Sequence, residues 1–217
     1  MASERIGKRP YNSQRRQEQA KATRMTILQS AKRLFEAGGY APTTMEAIAR
    51  DAGVALKTVY SAFGTKAGLL RALWDLLLKG DTDGAPIAQR AAYMEIMSEP
   101  EPRRQLELNA RHACIVKSRI GAMFDVIRGA ASTEHDAASL WALIQTDFHA
   151  NQRTIVDSID AKQALRDGLD AAAATDVLWT LNHPDTYLLL VVRCGWPIAQ
   201  FERWLADSFC HHLLDQP

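Results

Sequence analysis

The chain has 217 residues, of which 47% are hydrophobic and 24% charged, and its formal net charge is +1 at pH 7. This is the size and composition of a soluble globular protein with one ordinary domain and a small second one. A membrane protein is excluded, because no run approaches the roughly 18 consecutive apolar residues that a spanning helix needs. The first thirty residues lack the apolar core of a secretory signal, so the expected location is the cytoplasm. The three cysteines, Cys114, Cys194 and Cys210, are widely spaced and form no C-x-x-C pair. Neither a disulfide framework nor a zinc ribbon is therefore expected, which suits a reducing compartment.

The small net charge hides an asymmetry. Through Lys66 there are 12 Lys and Arg against 5 Asp and Glu, whereas the remainder holds 14 against 20. A basic end joined to an acidic body is the charge pattern of a nucleic-acid-binding head on a regulatory core.

In chain order, residues 1–20 carry Arg5, Lys8, Arg9, Arg15 and Arg16 among polar residues with little to bury. They read as a disordered basic arm. From there apolar residues recur at helical spacing with no strand alternation, so the chain is expected to be all-α. The first helix gathers Ile27, Leu28, Ala31, Leu34 and Phe35 on one face and stops at Gly38-Gly39. The second presents Met45, Ile48, Ala49 and Ala52, and Thr43 with Glu46 three residues on reads as a capping box that starts it near Thr43. A third, short helix runs through Thr58, Val59 and Tyr60 to Phe63, between Gly53 and Gly64. A fourth follows Thr65, buries Leu69, Leu70, Leu73, Trp74 and Leu77, and ends at Gly80. Glycine fits these ends because the residue after a helix often takes positive φ.

After a loop at Gly80 to Pro86 the body is expected to hold helices near 85–98, 101–132, 136–161, 171–193 and 197–214. The second of these should break near Lys117 to Gly121, and Pro184 should kink or restart the fourth. Trp141, Ile144, Phe148, Ile155 and Ile159 form one continuous stripe on the third. The domain reading is an arm at 1–20, a DNA-binding head at 21–80 and a body at 81–217.

Two short helices joined by a tight turn at Gly53-Val54 leave the polar face of the third helix free. That face carries Lys57, Thr58 and Ser61, with Tyr60 at its edge. Lysine reaches guanine edges or phosphates, hydroxyls reach either, and a tyrosine hydroxyl commonly bonds a backbone oxygen. The arrangement is that of a helix-turn-helix.

The stretch from Ile27 to Leu77 resembles the N-terminal domain of the TetR (tetracycline-repressor-like) family. The resembling residues are Ala31, Phe35, Gly39, Tyr40, Thr43-Thr44, Ile48-Ala49, Ala52-Gly53-Val54, Thr58-Val59-Tyr60, Phe63, Lys66 and Leu69-Leu70. The resemblance implies a three-helix head joined by a fourth helix to a C-terminal ligand-binding and dimerisation body. It further implies a homodimer on double-stranded DNA, with contacts from Thr43 or Thr44, Lys57, Thr58, Tyr60, Ser61 and Lys66. Half-sites about 34–36 Å apart would then give a roughly palindromic operator. Arg24 and the arm would add phosphate or minor-groove contacts. Two departures stand out: Ala55 occupies a position where family members often have a capping Ser, and Ser61 one where they often have a large aromatic or imidazole side chain.

The segment from Trp179-Thr180-Leu181 through Pro184, Tyr187 and Leu189-Leu190-Val191 to Gly195-Trp196 resembles the C-terminal region of actinobacterial-type members. That resemblance implies a dimer interface over roughly 171–214, with Tyr187, Leu190, Val191, Trp196, Phe201, Trp204 and Leu205 as candidates. It also implies a largely apolar small-molecule effector bound inside the body, for which Tyr93, Met97, His112, Met123, Phe124, Trp141, Phe148, Trp179 and Tyr187 are candidate lining residues. No cofactor and no metal is expected: His211 and His212 are adjacent and diverge by roughly 100° on a helix. The expected function is a repressor released from its operator by the effector, and the alternative is a constitutive, ligand-independent regulator or activator. An enzyme is not expected, because the sequence has no Gly-rich phosphate loop, no G-x-S-x-G turn and no metal-spaced His/Asp set.

Overall fold

The structure, a computed structural model, describes residues 11–81 and 85–215, the side chains of 11–14 excepted. All regular elements among the described residues are helical, and a lone antiparallel bridge joins Leu165 to Leu214. Two compact units divide at Leu73 and Trp74. The first contains α1 (Tyr11–Gly38), α2 (Met45–Asp51), α3 (Leu56–Phe63) and the start of α4 (Lys66–Lys79). The second contains the end of α4, then α5 (Ala91–Ser98), α6 (Pro102–Ala130), α7 (His135–Asp160), α8 (Ala171–Leu181), α9 (Pro184–Tyr187) and α10 (Ile198–Leu213).

In the first unit, the apolar stripe of α1 is buried as its spacing predicts: Ile27, Leu28, Ala31 and Phe35 have at most 3% exposure. They share the core with Ile48, Ala49, Val59, Leu69, Leu70 and Leu73. Of the arm expected at 1–20, residues 1–10 lie outside the described residues, while 11–20 form the first turns of α1. Arg, Gln, Ala and Lys are strong helix formers, and adding them to a turn already nucleated by the buried stripe requires no burial of their own.

The start of α2 also differs from expectation. Thr44, not Thr43, is the N-cap, its Oγ1 accepting from the Ala47 amide at 3.1 Å. Thr43 is buried instead, its hydroxyl donating to Gly39 O at 2.8 Å and closing the α1–α2 turn. With the cap moved one residue, Glu46 no longer occupies the third helical position that a capping box requires. The turn between α2 and α3 depends on Gly53 at φ +66°, and α3 ends at Gly64 with φ +71°. Both are conformations that side chains other than glycine rarely adopt.

In the body, α6 packs against α7 and α10, and α8 lies against α7 and α10. Glu101 caps α6 through the amides of Arg103 and Arg104, Pro102 occupies its first turn, and Asp170 caps α8 through Ala173 N. The helix runs unbroken for 29 residues, so the break expected near Lys117 to Gly121 does not occur. Both residues are part of the packing: Lys117 is hydrogen-bonded in the interior, and Gly121 faces Leu188 and Tyr187. The expected helix over 171–193 is instead α8, a turn at Asn182-His183, α9 starting on Pro184, and π-helical turns over Leu188–Arg193. Residues 87–89 form a 3-10 turn before α5, where one helix was expected. Ile144, Ile155 and Ile159 are buried on α7, whereas Trp141 and Phe148 of the same stripe, and Leu77 of α4, are only half-buried.

Gly68 of α4 is where the chain has no room for a side chain, since a Cβ there would overlap the backbone oxygen of Phe63 at the end of α3. Gly68→Ala is therefore expected to lower the stability of the head by about 1–3 kcal/mol. Denaturant unfolding followed by circular dichroism checks this, and an unchanged midpoint would refute it.

Candidate nucleic-acid interface

The eight residues of α3 divide by the helical period. Val59 is fully buried and holds the helix against the core; Leu56, Thr58, Ala62 and Phe63 are half-buried. Lys57, Tyr60 and Ser61 are exposed together, with Tyr60 45% exposed, unusual for so large a side chain. The N-cap Ala55 makes no side-chain capping bond, in keeping with the missing Ser.

Other candidates occupy distinct positions. Thr44 is exposed beside the start of α2, with its Oγ1 engaged by Ala47 N. Thr43, buried and bonded within the turn, is not placed to reach DNA, because its hydroxyl is already satisfied by backbone oxygens. Arg24 stacks its guanidinium 4.2 Å from the Phe63 ring centroid and donates to Ala62 O at 2.8 Å. It thus pins α1 to the C-terminal end of α3 by a cation–π contact and a charge-assisted hydrogen bond. Lys66 does the same at the other side, standing 4.1 Å from the Tyr40 ring centroid and donating to Ala41 O at 3.0 Å. Both cations were read from sequence as nucleic-acid contacts, and both also fasten the frame around α3. Thr65, after which the fourth helix was expected to begin, is exposed and accepts from Gly68 N at 3.0 Å, capping α4.

In the body, the candidate lining residues separate into two groups. Phe124, Trp141, Phe148 and Trp179 gather around His183, a residue sequence reasoning did not single out. Phe124 lies 4.8 Å from Trp141 and 5.4 Å from His183, centroid to centroid, and Trp179 lies 5.3 Å from His183. Tyr93 and Met97 of α5 and His112 of α6 make no ring contact with this cluster, and Met123 and Tyr187 are buried, Tyr187 against Phe201 at 5.5 Å. Burial lowers the pKa of His183, and of His112, whose imidazole is also opposed by Arg119 and Lys117.

Lys117 is the other residue that the sequence marked only as a break. It is 3% exposed and donates to Asn182 Oδ1, and burial brings its pKa down to about 7. Asn182 in turn donates to Gln152 Oε1 at 2.9 Å. Cys114, close by, is pushed up to about 11 by burial. Among the described residues no group of three His, Cys, Asp or Glu side chains could hold a metal ion, and no helix is long and apolar enough to cross a membrane.

The model of the bacterial regulatory proteins of the tetR family matches residues 27–73, the span that contains α2, α3 and their buried supports. Over these residues the chain is similar to the DNA-binding domain of that family. The chain is 43% identical over 63 residues to the HTH-type transcriptional regulator TtgR of Pseudomonas putida, a match that spans 29% of this chain and 30% of the relative. Its fold is shared with NalD, the secondary repressor of the MexAB-OprM multidrug efflux pump of Pseudomonas aeruginosa, at a TM-score of 0.69 and 19% identity over 91% of this chain and all of that one. It is also shared with a transcriptional regulator of Saccharomonospora viridis in complex with choline, at a TM-score of 0.66 and 16% identity over 90% of this chain and all of that one.

The residues expected at a dimer interface are not all on the surface. Phe201 and Leu205 are fully buried and Tyr187 is 7% exposed, so they belong to the body's own core; Leu190, Val191, Trp196 and Trp204 are half-buried. The exposed apolar side chains of this region are Leu189, Val192 and Ile198, at 50, 63 and 47%. The π-helical turns explain the shift, because a five-residue hydrogen-bond step, such as Cys194 N to Leu189 O at 2.9 Å, rotates side chains off the 3.6-residue period.

The buried lysine makes a stability prediction. Unfolded Lys117 would titrate near its ordinary value and folded Lys117 near 7, so between these values the unfolded chain binds more protons and stability rises with pH. Relative to Lys117→Met, the wild type is expected to gain about 1–2 kcal/mol between about pH 7 and 8.5. Chemical denaturation of both proteins at the two pH values measures it; a constant difference would contradict the burial of the amine.

Proposed function

We propose that the protein is a homodimeric, sequence-specific DNA-binding transcriptional regulator, a repressor released from a palindromic operator by a small-molecule effector, working in the cytoplasm. The observation that carries this reading is the α3 surface: Lys57, Tyr60 and Ser61 exposed side by side on a helix held by Val59, inside the span that matches the family. Such a surface offers an ammonium for phosphate or guanine, a phenol for a backbone oxygen and a hydroxyl for either. Thr44, at the start of α2, adds a contact at the groove edge. Arg24 and Lys66 serve mainly to hold α3 in register, and Thr58, half-buried, contributes from its exposed edge.

Repression and effector release are supported by the names of the relatives: NalD is a repressor, and the Saccharomonospora viridis regulator binds choline. An effector acts here by binding more tightly to a body conformation that disfavours DNA, since only differential affinity shifts an equilibrium. Dimerisation is assigned to the face of Leu189, Val192 and Ile198, together with the half-buried Trp196 and Trp204. An exposed apolar cluster of this kind is what a two-fold interface requires.

Two measurements test the reading. On the duplex that the wild type binds most tightly, Lys57→Ala and Tyr60→Ala are each expected to weaken binding by about 10–100-fold, with thermal midpoints unchanged. Wild-type affinity in fluorescence anisotropy would overturn the α3 assignment. Val192→Glu is expected to turn a dimer into a monomer by multi-angle light scattering, because a buried unpaired carboxylate opposes association. A dimer that persists would move the interface elsewhere.

A further inference from the structure

The polar atoms around His183 are unbalanced in favour of donors. His183 Nδ1 faces the Asp185 amide, which donates to it at 3.3 Å, and the Asp185 carboxylate at 3.3 Å, while Nε2 lies 3.2 Å from Gln145 Oε1. That leaves Gln145 Nε2 buried with no acceptor, and the indole N–H of Trp179, whose ring packs edge-on against His183, is in the same condition. The Lys117 amine supplies the third donor and meets a single acceptor, the amide oxygen of Asn182, in a setting where burial opposes its charge. The Asp185 carboxylate, which stands beside His183 Nδ1, is already paired with Arg128. Gln145 bonds the His183 ring, Trp179 packs on it and the Lys117 charge acts on it, and buried donors are as a rule matched, so these three call for acceptors from outside the chain.

The walls of the same cluster are apolar and flat. Trp74 lies 6.3 Å from Phe124, which lies 4.8 Å from Trp141, and Phe148 lies 6.1 Å from His183. We propose that this cluster binds a small, flat, largely apolar molecule carrying a carboxylate, with the carboxylate on Lys117, Gln145 Nε2 and Trp179 Nε1 and the ring system among Phe124, Trp141 and Phe148. A carboxylate brings about four lone-pair sites, enough for all three donors, and is the group that best offsets a buried ammonium. A neutral analogue brings no counter-charge that would hold the amine protonated, and a cation meets its protonated form as a like charge, so selectivity for acids follows from the same residues. The aromatic rings touch one another in the structure, so the ligand separates them as it binds and selects the opened arrangement. This deepens the effector reading above and rests on the body being a small-molecule site.

The test uses the purified full-length protein without DNA, titrated calorimetrically with benzoate, 2-naphthoate and indole-3-acetate and with the primary amide of each. At least one acid is expected to bind, with its amide at least about 10-fold weaker, and Lys117→Met is expected to bring the acid–amide ratio to about 1. Trp179→Phe, which keeps the ring and deletes the N–H, is expected to weaken the acid about 3-fold or more. Binding of no acid, equal binding of acid and amide, or an undiminished preference in Lys117→Met would each overturn the proposal. If Lys117→Met does not fold, the acid–amide comparison in the wild type and in Trp179→Phe decides. Acid binding by a protein that selects no duplex would keep this site and overturn the regulator, and duplex selection without acid binding would do the reverse.

Discussion

An eight-residue helix has no stability of its own in water, and α3 has Val59 as its single fully buried side chain. Its position is therefore set from outside: by the α1 stripe of Ile27, Leu28, Ala31 and Phe35, by Leu69 and Leu70 of α4, and by the glycines that turn the chain before and after it. Arg24 on the Phe63 ring and Lys66 on the Tyr40 ring complete the frame. The arrangement explains how a helix can keep Lys57, Tyr60 and Ser61 exposed and still hold them in register. All the packing that fixes it comes from its neighbours, which frees its polar face for a ligand.

The body solves a different problem. Its long helices bury a core that is mostly apolar, yet a chain of polar side chains runs through it, from Lys117 to Asn182 to Gln152 and on to the Phe148 backbone oxygen. A buried ammonium without a carboxylate is costly, and replacing such groups with apolar ones often stabilises a protein. Retaining Lys117 there suits a site whose counter-charge arrives from outside, next to rings that would hold an apolar ligand.

The head was largely legible in the sequence, because short amphipathic helices separated by glycine leave few arrangements open, and the extents read for α3 and α4 agree with the structure. The cap was misread by one residue: Thr43 and Thr44 are chemically equal in a sequence, and the choice between them depends on the turn that buries Thr43 against Gly39 O. Polar composition suggested disorder for residues that extend α1, since periodicity registers burial and not the propagation of a helix already formed. In the body the dominant signals failed where packing overrides them. Lys117 and Gly121 looked like a break and instead continue the helix, Lys117 through a buried polar bond and Gly121 packed against Leu188 and Tyr187, and the π-helical turns moved the exposed apolar face from Leu190 and Val191 to Leu189 and Val192. His183, at the centre of the aromatic cluster, gave no signal because its partners Phe124 and Phe148 lie on α6 and α7, distant in sequence.

The most direct test of the central claim, that α3 of a dimer reads duplex DNA, is selection by the purified protein from a random duplex pool. The account predicts enrichment of an inverted repeat whose half-sites are centred about 10–10.5 base pairs, or a multiple of that, apart. Failure to enrich any sequence, at a salt concentration low enough to preserve phosphate contacts, would contradict it.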